Sequence, residues 1–532
     1  MSLSKCAFVL LLLTGITTIS CKETFSDLAP TDALSDATAY ATPDRVALAV
    51  TGVYDAAQTG FYTGGLAAGA SRGYPLGAAN TELGDNRGED VIAVPSFYLI
   101  TYQSTYTVAT ANNQFYWETL YGLINRANVV IEGVQGAATG GVITPEQALI
   151  YEGEARFLRA LAHHELLVHY ARPYAHTADA SHLGVPYRTK AVQGAAAAVE
   201  AAAQGRNTVK ECYDLLLQDL DFAETNLPAT SSTPRLKITR ATKGAAIALK
   251  TRVYLHQGNW TKVVSEGAKI ISGSGTTLTS PIGGYKLTAT PEGPFSSNYD
   301  NTESMFSIEN GAADNGTVNG SISTMYQISP GRALVAISPI IWNDPNWLAT
   351  DTRRTLLAQN NSRAYFSKKY RDITTLTDAN PIIRYSEVLL NVAEATARVS
   401  GLTQASIDQL NAVRNRAVTA ANQFTVASFA TANDLIGAII KERRIEFLCE
   451  GRRWSDIHRL AKDPVFTSNG IPAKVDYTGT TFASWVAASA TGYIGARATT
   501  AVPYDDYRFV WPIPQTETTS NPVLAAQQNP IY

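Results

Sequence analysis

Three short motifs in this sequence have residue types and spacings that could support catalysis or metal binding. The first, GASRG at residues 69–73, matches the Gly-x-Ser-x-Gly pattern in which a serine, here Ser71, acts as a nucleophile. That pattern requires a buried strand before the serine and a helix after it. The flanking stretches FYTGGLAA and YPLGAAN have neither periodicity. We therefore expect Ser71 to be an ordinary loop residue.

The second motif, HHELLVH, superficially resembles a zinc-binding helix. His164 and His169 are five residues apart, about 140° around a helix, whereas zinc-binding helices place two histidines four residues apart on one face. His164 also shares an apolar helical stripe with Phe157, Leu161 and Val168, which favours a core position for it. The 7 His and 4 Cys of the chain form no other convincing ligand cluster. The sequence therefore predicts no metal site and no cofactor.

The third motif, KERRIEF, carries two carboxylates that could be read as a glycosidase pair. Glu442 and Glu446 are spaced i, i+4 on one helical face, with Arg443 and Arg444 between them. Neighbouring arginines keep carboxylates ionised, whereas a general acid needs a raised pKa. We interpret this segment as a set of ion pairs that hold helices together, and we predict no catalytic residue. The downstream residues of the same set are Arg452, Arg453 and Asp456.

The composition of the whole chain limits the classes of protein that it can be. The chain has 532 residues, 45% hydrophobic and 17% charged, so it can bury a large core and is not globally disordered. Its formal net charge is -3, which leaves no basic excess to neutralise phosphates and argues against nucleic-acid binding. With 26 Tyr and 7 Trp, the composition is compatible with exposed aromatic surfaces.

Residues 1–20 have the pattern of a lipoprotein signal peptide. A short start with one positive charge precedes the apolar run Ala7 to Leu13, which is too short to span a bilayer. Thr18-Ile19-Ser20-Cys21 resembles a lipobox, although leucine is usual where Thr18 stands. We expect Cys21 to become the acylated amino terminus and residues 21–44 to form a tether to the membrane. The alternative is a plain secretory signal with an incidental cysteine.

Two cysteines remain once Cys6 leaves with the signal peptide and Cys21 is acylated. Cys212 and Cys449 both lie within helical patterns. Two cysteines in so long a chain do not form a disulfide framework. We favour buried free thiols, and a bridge between the two stays open.

Apolar residues recur at helical spacing over two regions of the chain. Pairs of helices joined by short turns, clearest in YLHQGNWTKVVSEGAKII, are typical of a tetratricopeptide-like repeat. We therefore predict a mainly α fold with a tetratricopeptide-like scaffold. Residues 195–203 are Ala-rich and indicate either a helix end or an accommodating loop. The predicted helices are Arg45–Ala57, Trp117–Val134, Pro145–Arg172, Thr208–Asn226, Thr239–His256, Trp260–Ile271, Pro381–Arg398, Gln404–Ala420 and Ala432–Leu460.

Between these helices lie long stretches without a sustained period. Residues 59–110 are rich in Gly, Tyr, Asn and Asp, residues 272–380 in Gly, Ser, Asn and Thr, and the tail after 461 is largely irregular. Long irregular segments inside a compact protein are usually functional. We divide the mature chain into an N-terminal helical region at 45–271, a loop-rich insertion at 272–380 and a C-terminal region at 381–532.

Five stretches, in order along the chain, resemble motifs of the SusD/RagB family of nutrient-uptake lipoproteins. Together with the lipobox they extend over almost the whole chain, and Ile531 is a departure because glycine is usual there. The stretches are YEGEARFLRALAHHELLVHYARPY, TRATKGAAIALKTRVYLHQGNW, PIIRYSEVLLNVAEATAR, LNAVRNRA with IIKERRIEFLCEGRRWSDIHRL, and WPIPQTETTSNPVLAAQQNPIY.

The resemblance implies a helical lipoprotein on the outer face of the outer membrane. Such a protein binds an oligosaccharide, or a peptide in the RagB branch, and delivers it to a SusC-like TonB-dependent transporter without catalysis. The ligand surface is implied to lie on the irregular segments, where aromatic rings could stack on sugars and polar groups could bind hydroxyls. Our candidate ligand-binding residues are Asp85, Asn86, Arg87, Tyr98, Tyr102, Tyr106, Tyr326, Trp342, Asn343 and Trp347.

Two other classes of protein remain as alternatives. A surface glycoside hydrolase would need a carboxylate pair outside the arginine-rich helix, and the sequence offers none. A purely structural tetratricopeptide adaptor is disfavoured because the irregular segments are long and aromatic. Within the binding-protein class, the choice between glycan and peptide stays open.

Overall fold

A computed structural model describes residues 36–58 and 72–532, and in this part of the chain helices predominate. The predicted lipobox, Cys21 and Ser71 lie outside the described residues. The helices of nine or more residues are α1 (Pro43–Gln58), α2 (Ala78–Asn86), α3 (Ala111–Thr139), α4 (Pro145–Tyr170), α5 (Gly194–Ala202), α6 (Val209–Asn226), α7 (Lys243–Gln257), α8 (Trp260–Ile270), α9 (Tyr385–Ser400), α10 (Gln404–Arg414), α11 (Ala432–Glu446) and α12 (Arg452–Leu460).

Local capping explains where several of these helices begin and end. The Thr144 hydroxyl accepts from the backbone of Gln147, and Pro145 occupies the first helical position of α4. Thr208 and Glu211 form a reciprocal capping box at the start of α6. Gly258 ends α7 with φ +69°, a conformation that favours glycine, and α8 follows at once.

Consecutive helices pack against one another in a continuous array. Helix α3 packs on α4, α4 on α6, α6 on α7, α7 on α8, α8 on α9, and α9 on both α10 and α11. Their apolar faces form one large core. The mainly α fold with a tetratricopeptide-like helical scaffold is thus confirmed. Among the described residues, no helix has both the length and the apolar character needed to cross a membrane.

Two predicted helices differ from the structure at points where distant residues intervene. Residues 381–384 form a strand, not the start of a helix, because the β-branched run Ile382-Ile383 pairs with the strand Ser304–Ile308. The segment 432–460 is two helices, α11 and α12, separated by a turn. Cys449 and Gly451 in that turn have φ values of +63° and +75°, which a continuous helix excludes.

The loop-rich insertion contains short strands. Three of them, β3 (Val335–Ile337), β4 (Ala358–Asn360) and β5 (Tyr365–Ser367), form an antiparallel sheet with β1 (Val91–Ala93), which lies outside the insertion. The order is β1-β3-β5-β4, and Ile92 pairs with Ala336 and Ala336 with Phe366. Its apolar side chains form a second core. The strands are β1 (Val91–Ala93), β2 (Ser304–Ile308), β3 (Val335–Ile337), β4 (Ala358–Asn360), β5 (Tyr365–Ser367), β6 (Asn380–Arg384), β7 (Gly470–Ile471) and β8 (Val502–Pro503).

Short helices complete the described structure. The Ala-rich stretch forms the regular helix α5, which has no buried residue. Cys212 and Cys449 are buried free thiols, as expected. The short helices are Asp36–Ala39, Leu99–Gln103, Tyr174–His176, Pro234–Thr239, Gly293–Ser296, Thr317–Gly320, Ile322–Tyr326, Pro339–Trp342, Arg353–Leu356, Ala420–Asn422, Val426–Ser428, Tyr477–Gly479, Phe482–Ser484, Tyr507–Phe509, Gln515–Ser520 and Pro522–Ala526.

Candidate functional site

The carboxyl-terminal end of α2 contacts segments that are distant in the sequence. The Asp85 carboxylate accepts from the Tyr326 hydroxyl at 2.6 Å and from the backbone N–H of Gly451 at 2.9 Å. Gly84 approaches Gly451 so closely that a β-carbon on Gly84 would lie 2.1 Å from the Gly451 carbonyl oxygen. Asp85 therefore fixes α2 against the turn before α12, while the buried Asn86 donates within α2 to the Glu82 carbonyl oxygen at 2.8 Å.

Arg87 is a buried cation that is held by aromatic rings. Its guanidinium lies 3.4 Å from the ring centroid of Trp454 and 4.9 Å from that of Trp511. It donates to the carbonyl oxygen of Phe509 at 2.5 Å. Burial lowers the pKa of Arg87 to about 10, so it stays charged at neutral pH. Through these contacts Arg87 connects the end of α2 to the C-terminal tail.

The predicted tyrosines also point inwards. Tyr102 donates to the carbonyl oxygen of Val475 at 2.7 Å, and the Lys474 ammonium lies 4.6 Å from its ring centroid. Tyr106 donates to the carbonyl oxygen of Arg508. Tyr98, Tyr102 and Tyr106 are all buried, and each packs beneath its own irregular segment.

The tryptophans of the second candidate segment surround another buried arginine. The Arg354 guanidinium lies 4.6 Å from the ring centroid of Trp342 and 4.1 Å from that of Trp347. Arg354 also donates to the carbonyl oxygens of Leu348 and Trp342, both at 2.9 Å. Burial lowers the pKa of Arg354 to about 10. The two indoles therefore pack against Arg354 on the buried side of this segment.

The expectation of an exposed ligand surface made by the candidate residues needs correction. All have at most 4% exposure. The irregular segments direct the rings of Tyr98 and Tyr106 into the large helical core and those of Tyr102, Tyr326, Trp342 and Trp347 into the second core. The expected exposure is therefore wrong for these side chains, and their role in ligand binding stays a prediction. The buried candidates are Asp85, Asn86, Arg87, Tyr98, Tyr102, Tyr106, Tyr326, Trp342, Asn343 and Trp347.

One of the buried indoles is the base of an aromatic stack that reaches the surface. The ring of Tyr365 stacks on Trp342 with centroids 3.9 Å apart, and Phe482 stacks on Tyr365 at 5.4 Å. The planes of each pair are within 24° of parallel. Phe482 is 39% exposed, so its ring is open to solvent at the outer end of the stack. We call Trp342, Tyr365 and Phe482 the aromatic ladder.

Polar side chains hold the aromatic ladder in place. The Asn343 amide donates to the Ser484 carbonyl oxygen at 2.9 Å and accepts from the backbone N–H of Val486 at 2.9 Å, which fixes the segment that carries Phe482. Beside the ladder, the exposed Arg363 lies 4.5 Å from the ring centroid of Tyr477. Tyr365, Phe482 and Tyr477 could not be predicted from the sequence, because no periodic signal in an irregular segment reports which aromatic ring is exposed.

The arginine-rich segment forms buried ion pairs, as the sequence predicted. Glu442 pairs with Arg353 at 2.6 Å and with Arg414 at 3.0 Å, while Arg443 pairs with Asp456 at 3.1 Å. These contacts join α11 to α10, α12 and the insertion, so the charges hold separate helices together.

The Glu446 carboxylate is a poor general acid in this environment. Although burial disfavours its charged form, the arginines Arg416, Arg384 and Arg353 outweigh that effect and hold the pKa of Glu446 below its usual range. A general acid needs the opposite shift. The interpretation of KERRIEF as scaffold is consistent with this result.

A different pair of carboxylates does have raised pKa values. Burial raises the pKa of Glu82 to about 8 and that of Asp85 to about 7. This pair could not be predicted from the sequence, because the burial that outweighs the nearby charges of Arg332 and Lys369 is a tertiary property. Glu82 is 0% exposed and Asp85 is 3% exposed. A glycan cannot reach either carboxylate in this conformation.

The histidine motif lies in the core. His164 is 1% exposed and its ring lies 4.8 Å from that of His256. Burial lowers the pKa of His164 to about 3, so the ring is neutral at physiological pH. Among residues 36–58 and 72–532, no group of three or more His, Cys, Asp or Glu side chains is arranged to hold a metal ion.

Comparison with known proteins places the chain in a family of binding proteins. Residues 283–532 match the model described as the SusD family, and residues 68–255 match the model described as starch-binding associating with outer membrane. The chain belongs to the SusD/RagB family, as its motifs predicted.

The chain is also similar to individual members of this family. SusD-like protein P38 of Formosa agariphila is 25% identical over 501 residues, which cover 86% of this chain and 91% of the relative. A SusD superfamily protein from Bacteroides fragilis matches the fold with a TM-score of 0.72 and 26% identity, over 91% of this chain and 99% of that one. A laminarin-binding SusD-like protein has a TM-score of 0.65 at 21% identity, over 92% and 100% of the two chains.

Proposed function

We propose that this protein is a non-catalytic lipoprotein of the outer-membrane surface that captures an oligosaccharide and delivers it to a SusC-like TonB-dependent transporter. The observation that supports capture is the aromatic ladder. Sugars present flat CH faces to aromatic rings, and the ladder ends in the open ring of Phe482 beside polar side chains. A helical scaffold holds this surface in place, and the carboxylates of Glu82 and Asp85, whose pKa values are raised, are buried away from it. Peptide capture is the second candidate, which family membership leaves open.

Replacing Phe482 with alanine should weaken glycan binding roughly 5–30-fold, because stacking contributes about 1–2 kcal/mol. The measurement is calorimetric titration of the purified protein with laminarin and starch oligosaccharides, after a glycan-array screen to choose the best ligand. Phe482→Tyr keeps the ring and should retain the affinity. Unchanged affinity in a folded Phe482→Ala protein would reject the ladder as the ligand surface, and a response to peptides alone would favour the RagB-type alternative.

The proposed acylation of Cys21 can be tested separately. Cys21→Ala removes the thiol that would be acylated, so the protein should move from the membrane fraction to the soluble fraction. Fractionation followed by mass spectrometry of the amino-terminal peptide measures both the location and the acyl mass. An intact Cys21 protein whose amino-terminal peptide lacks acyl chains would contradict the proposed anchor.

A further inference from the structure

A cavity of about 400 Å³ lies between the C-terminal tail and the segment that follows helix α4. It shares no lining residue with the aromatic ladder. Small-molecule sites commonly have volumes of about 300–1,000 Å³. Its lining includes Arg172, His176, Leu183, Arg206, Val510 and Ile531.

Arg206 closes one wall of this cavity and has no acidic partner. Its Nε donates to the Gly184 carbonyl oxygen at 2.6 Å, and one terminal nitrogen donates to the Gln527 carbonyl oxygen at 2.8 Å and to the Asn529 amide oxygen at 2.9 Å. The other terminal nitrogen donates to the carbonyl oxygens of Leu183 at 3.2 Å and Tyr170 at 3.4 Å, so Arg206 acts on a ligand through its charge. No carboxylate in the described part of the chain forms a salt bridge with Arg206. The guanidinium is therefore a buried positive charge that only neutral oxygens solvate.

Arg172 adds a second guanidinium to the same cavity. It donates to the carbonyl oxygen of Asp506 at 3.1 Å and lies 4.9 Å from the ring centroid of Tyr504. The Asp506 carboxylate is occupied by Arg508 at 2.7 Å. Asp505, which is exposed, is the acidic side chain in the lining. The side chains that line the cavity thus include two guanidinium groups and one exposed carboxylate, so they carry an excess of positive charge.

The histidines of the lining are neutral hydrogen-bonding groups. The Nδ1 of His176 lies 2.7 Å from the Tyr504 hydroxyl, and burial lowers the pKa of His176 to about 4. The two ring nitrogens of His182 contact the Thr177 hydroxyl at 3.0 Å and the Arg172 carbonyl oxygen at 3.2 Å. The positive charge of the cavity therefore comes from the arginines at neutral pH.

The lining also contains the polar residues Tyr507, Gln528 and Asn529, together with apolar side chains, of which Leu183 and Ile531 are open to solvent. Leu183 is 39% exposed and Ile531 is 82% exposed. Ile531 has φ +74°, a conformation that β-branched residues rarely adopt. An exposed apolar side chain on a strained backbone next to an uncompensated charge points to a function for the position.

We propose that this cavity binds a small organic anion with an apolar body. The anionic group would face Arg172 and Arg206, and the apolar body would contact Leu183, Val510 and Ile531. A neutral sugar lacks the anionic group, so this site is distinct in chemistry from the aromatic ladder. The proposal does not depend on glycan capture.

A pair of fluorescent dyes separates the two parts of the proposal. The sulfonate 8-anilinonaphthalene-1-sulfonate and the neutral N-phenyl-1-naphthylamine share the same aromatic body. The full chain carrying Cys21→Ala is titrated without detergent, because detergent binds both dyes. We expect one saturable site with at least tenfold higher affinity for the sulfonate. Equal affinity for the two dyes, or no saturable binding, would overturn the proposal.

Matched variants assign the dye to the cavity. Arg172→Gln should weaken sulfonate binding at least fivefold and leave the neutral dye unchanged, whereas Ile531→Gly should weaken both. Glycine accepts the positive φ, so the Ile531→Gly protein should keep its unfolding midpoint. Ile494→Gly is the control, because Ile494 is 84% exposed and does not line the cavity. Loss of binding in Ile494→Gly equal to that in Ile531→Gly would mean non-specific adsorption and would reject the site.

Discussion

Replacing Arg384 with methionine is expected to lower the free energy of unfolding by about 3–5 kcal/mol, since removing one partner of a buried ion pair leaves its acids uncompensated. Arg384 donates to both carboxylate oxygens of Glu450 at 2.8 Å and to Glu446 at 3.0 Å, and it also pairs with Glu303. All four residues are buried. Chemical denaturation, followed by circular dichroism, measures the change.

An exposed ion pair in the same chain provides the control. Arg235 pairs with Glu309, and both side chains are nearly half exposed. Exposed pairs contribute about 0–1 kcal/mol, so Arg235→Met should change stability little. Glu450 also pairs with the buried Lys369 at 2.5 Å, so adding Glu450→Gln to Arg384→Met would take away the partner of that ammonium and should not recover the loss. A loss below about 1 kcal/mol for Arg384→Met would contradict the view that this network holds the helices together.

Acidification from pH 7 to pH 5 is expected to lower the free energy of unfolding by about 5 kcal/mol. Five histidines are buried in the described core, and burial is the main cause that lowers the pKa of each. The pKa values of His163, His164 and His458 fall to about 3. The histidines are His163, His164, His169, His256 and His458.

The sign follows from the protons that each state binds. Below pH 6.5 the unfolded chain protonates these histidines while the folded protein keeps them neutral, so their contribution is complete above pH 6.5 and is lost towards pH 3. Each histidine contributes roughly 1.4 kcal/mol per pH unit in that range. Glu82 and Asp85 act in the opposite direction, because their raised pKa values stabilise the folded state below pH 4.5 and lose that effect as the pH rises towards 8. The five histidines together change the free energy of unfolding more than these two carboxylates do, so the net effect of acidification is a loss of stability.

One variant isolates the histidine contribution. Both ring nitrogens of His164 lack a hydrogen-bond partner, so His164→Leu should cost little at pH 7 and should recover about 2 kcal/mol of the loss at pH 5. Leu161→Met, on the same helical face, should change stability equally at both pH values. Denaturant titrations at pH 7 and pH 5 provide the comparison. A histidine variant with the same pH dependence as the native protein would show that other groups dominate acid sensitivity.

The helical scaffold could be predicted because its determinants are local. Apolar residues at helical spacing, the capping pair Thr208 and Glu211, and Gly258 after α7 lie within a few residues of the elements that they specify. The family motifs likewise run in order along the chain, and the comparisons confirmed them. The break between α11 and α12 at Cys449 was harder to predict from the sequence, because a helical charge pattern continues through it. The turn is stabilised by contacts from α2, which is distant in the chain.

The sequence by itself determined the class of protein, the order of the helices and the structural role of the arginine-rich segment. Three features could be known only from the folded chain: Pro381 lies in a strand opposite Ser307, Tyr326 lies inside the protein, and Phe482 is exposed above Tyr365. Each of these outcomes depends on partners distant in the chain. Burial and stacking are set by how the segments pack together, and local periodicity carries no information about that packing.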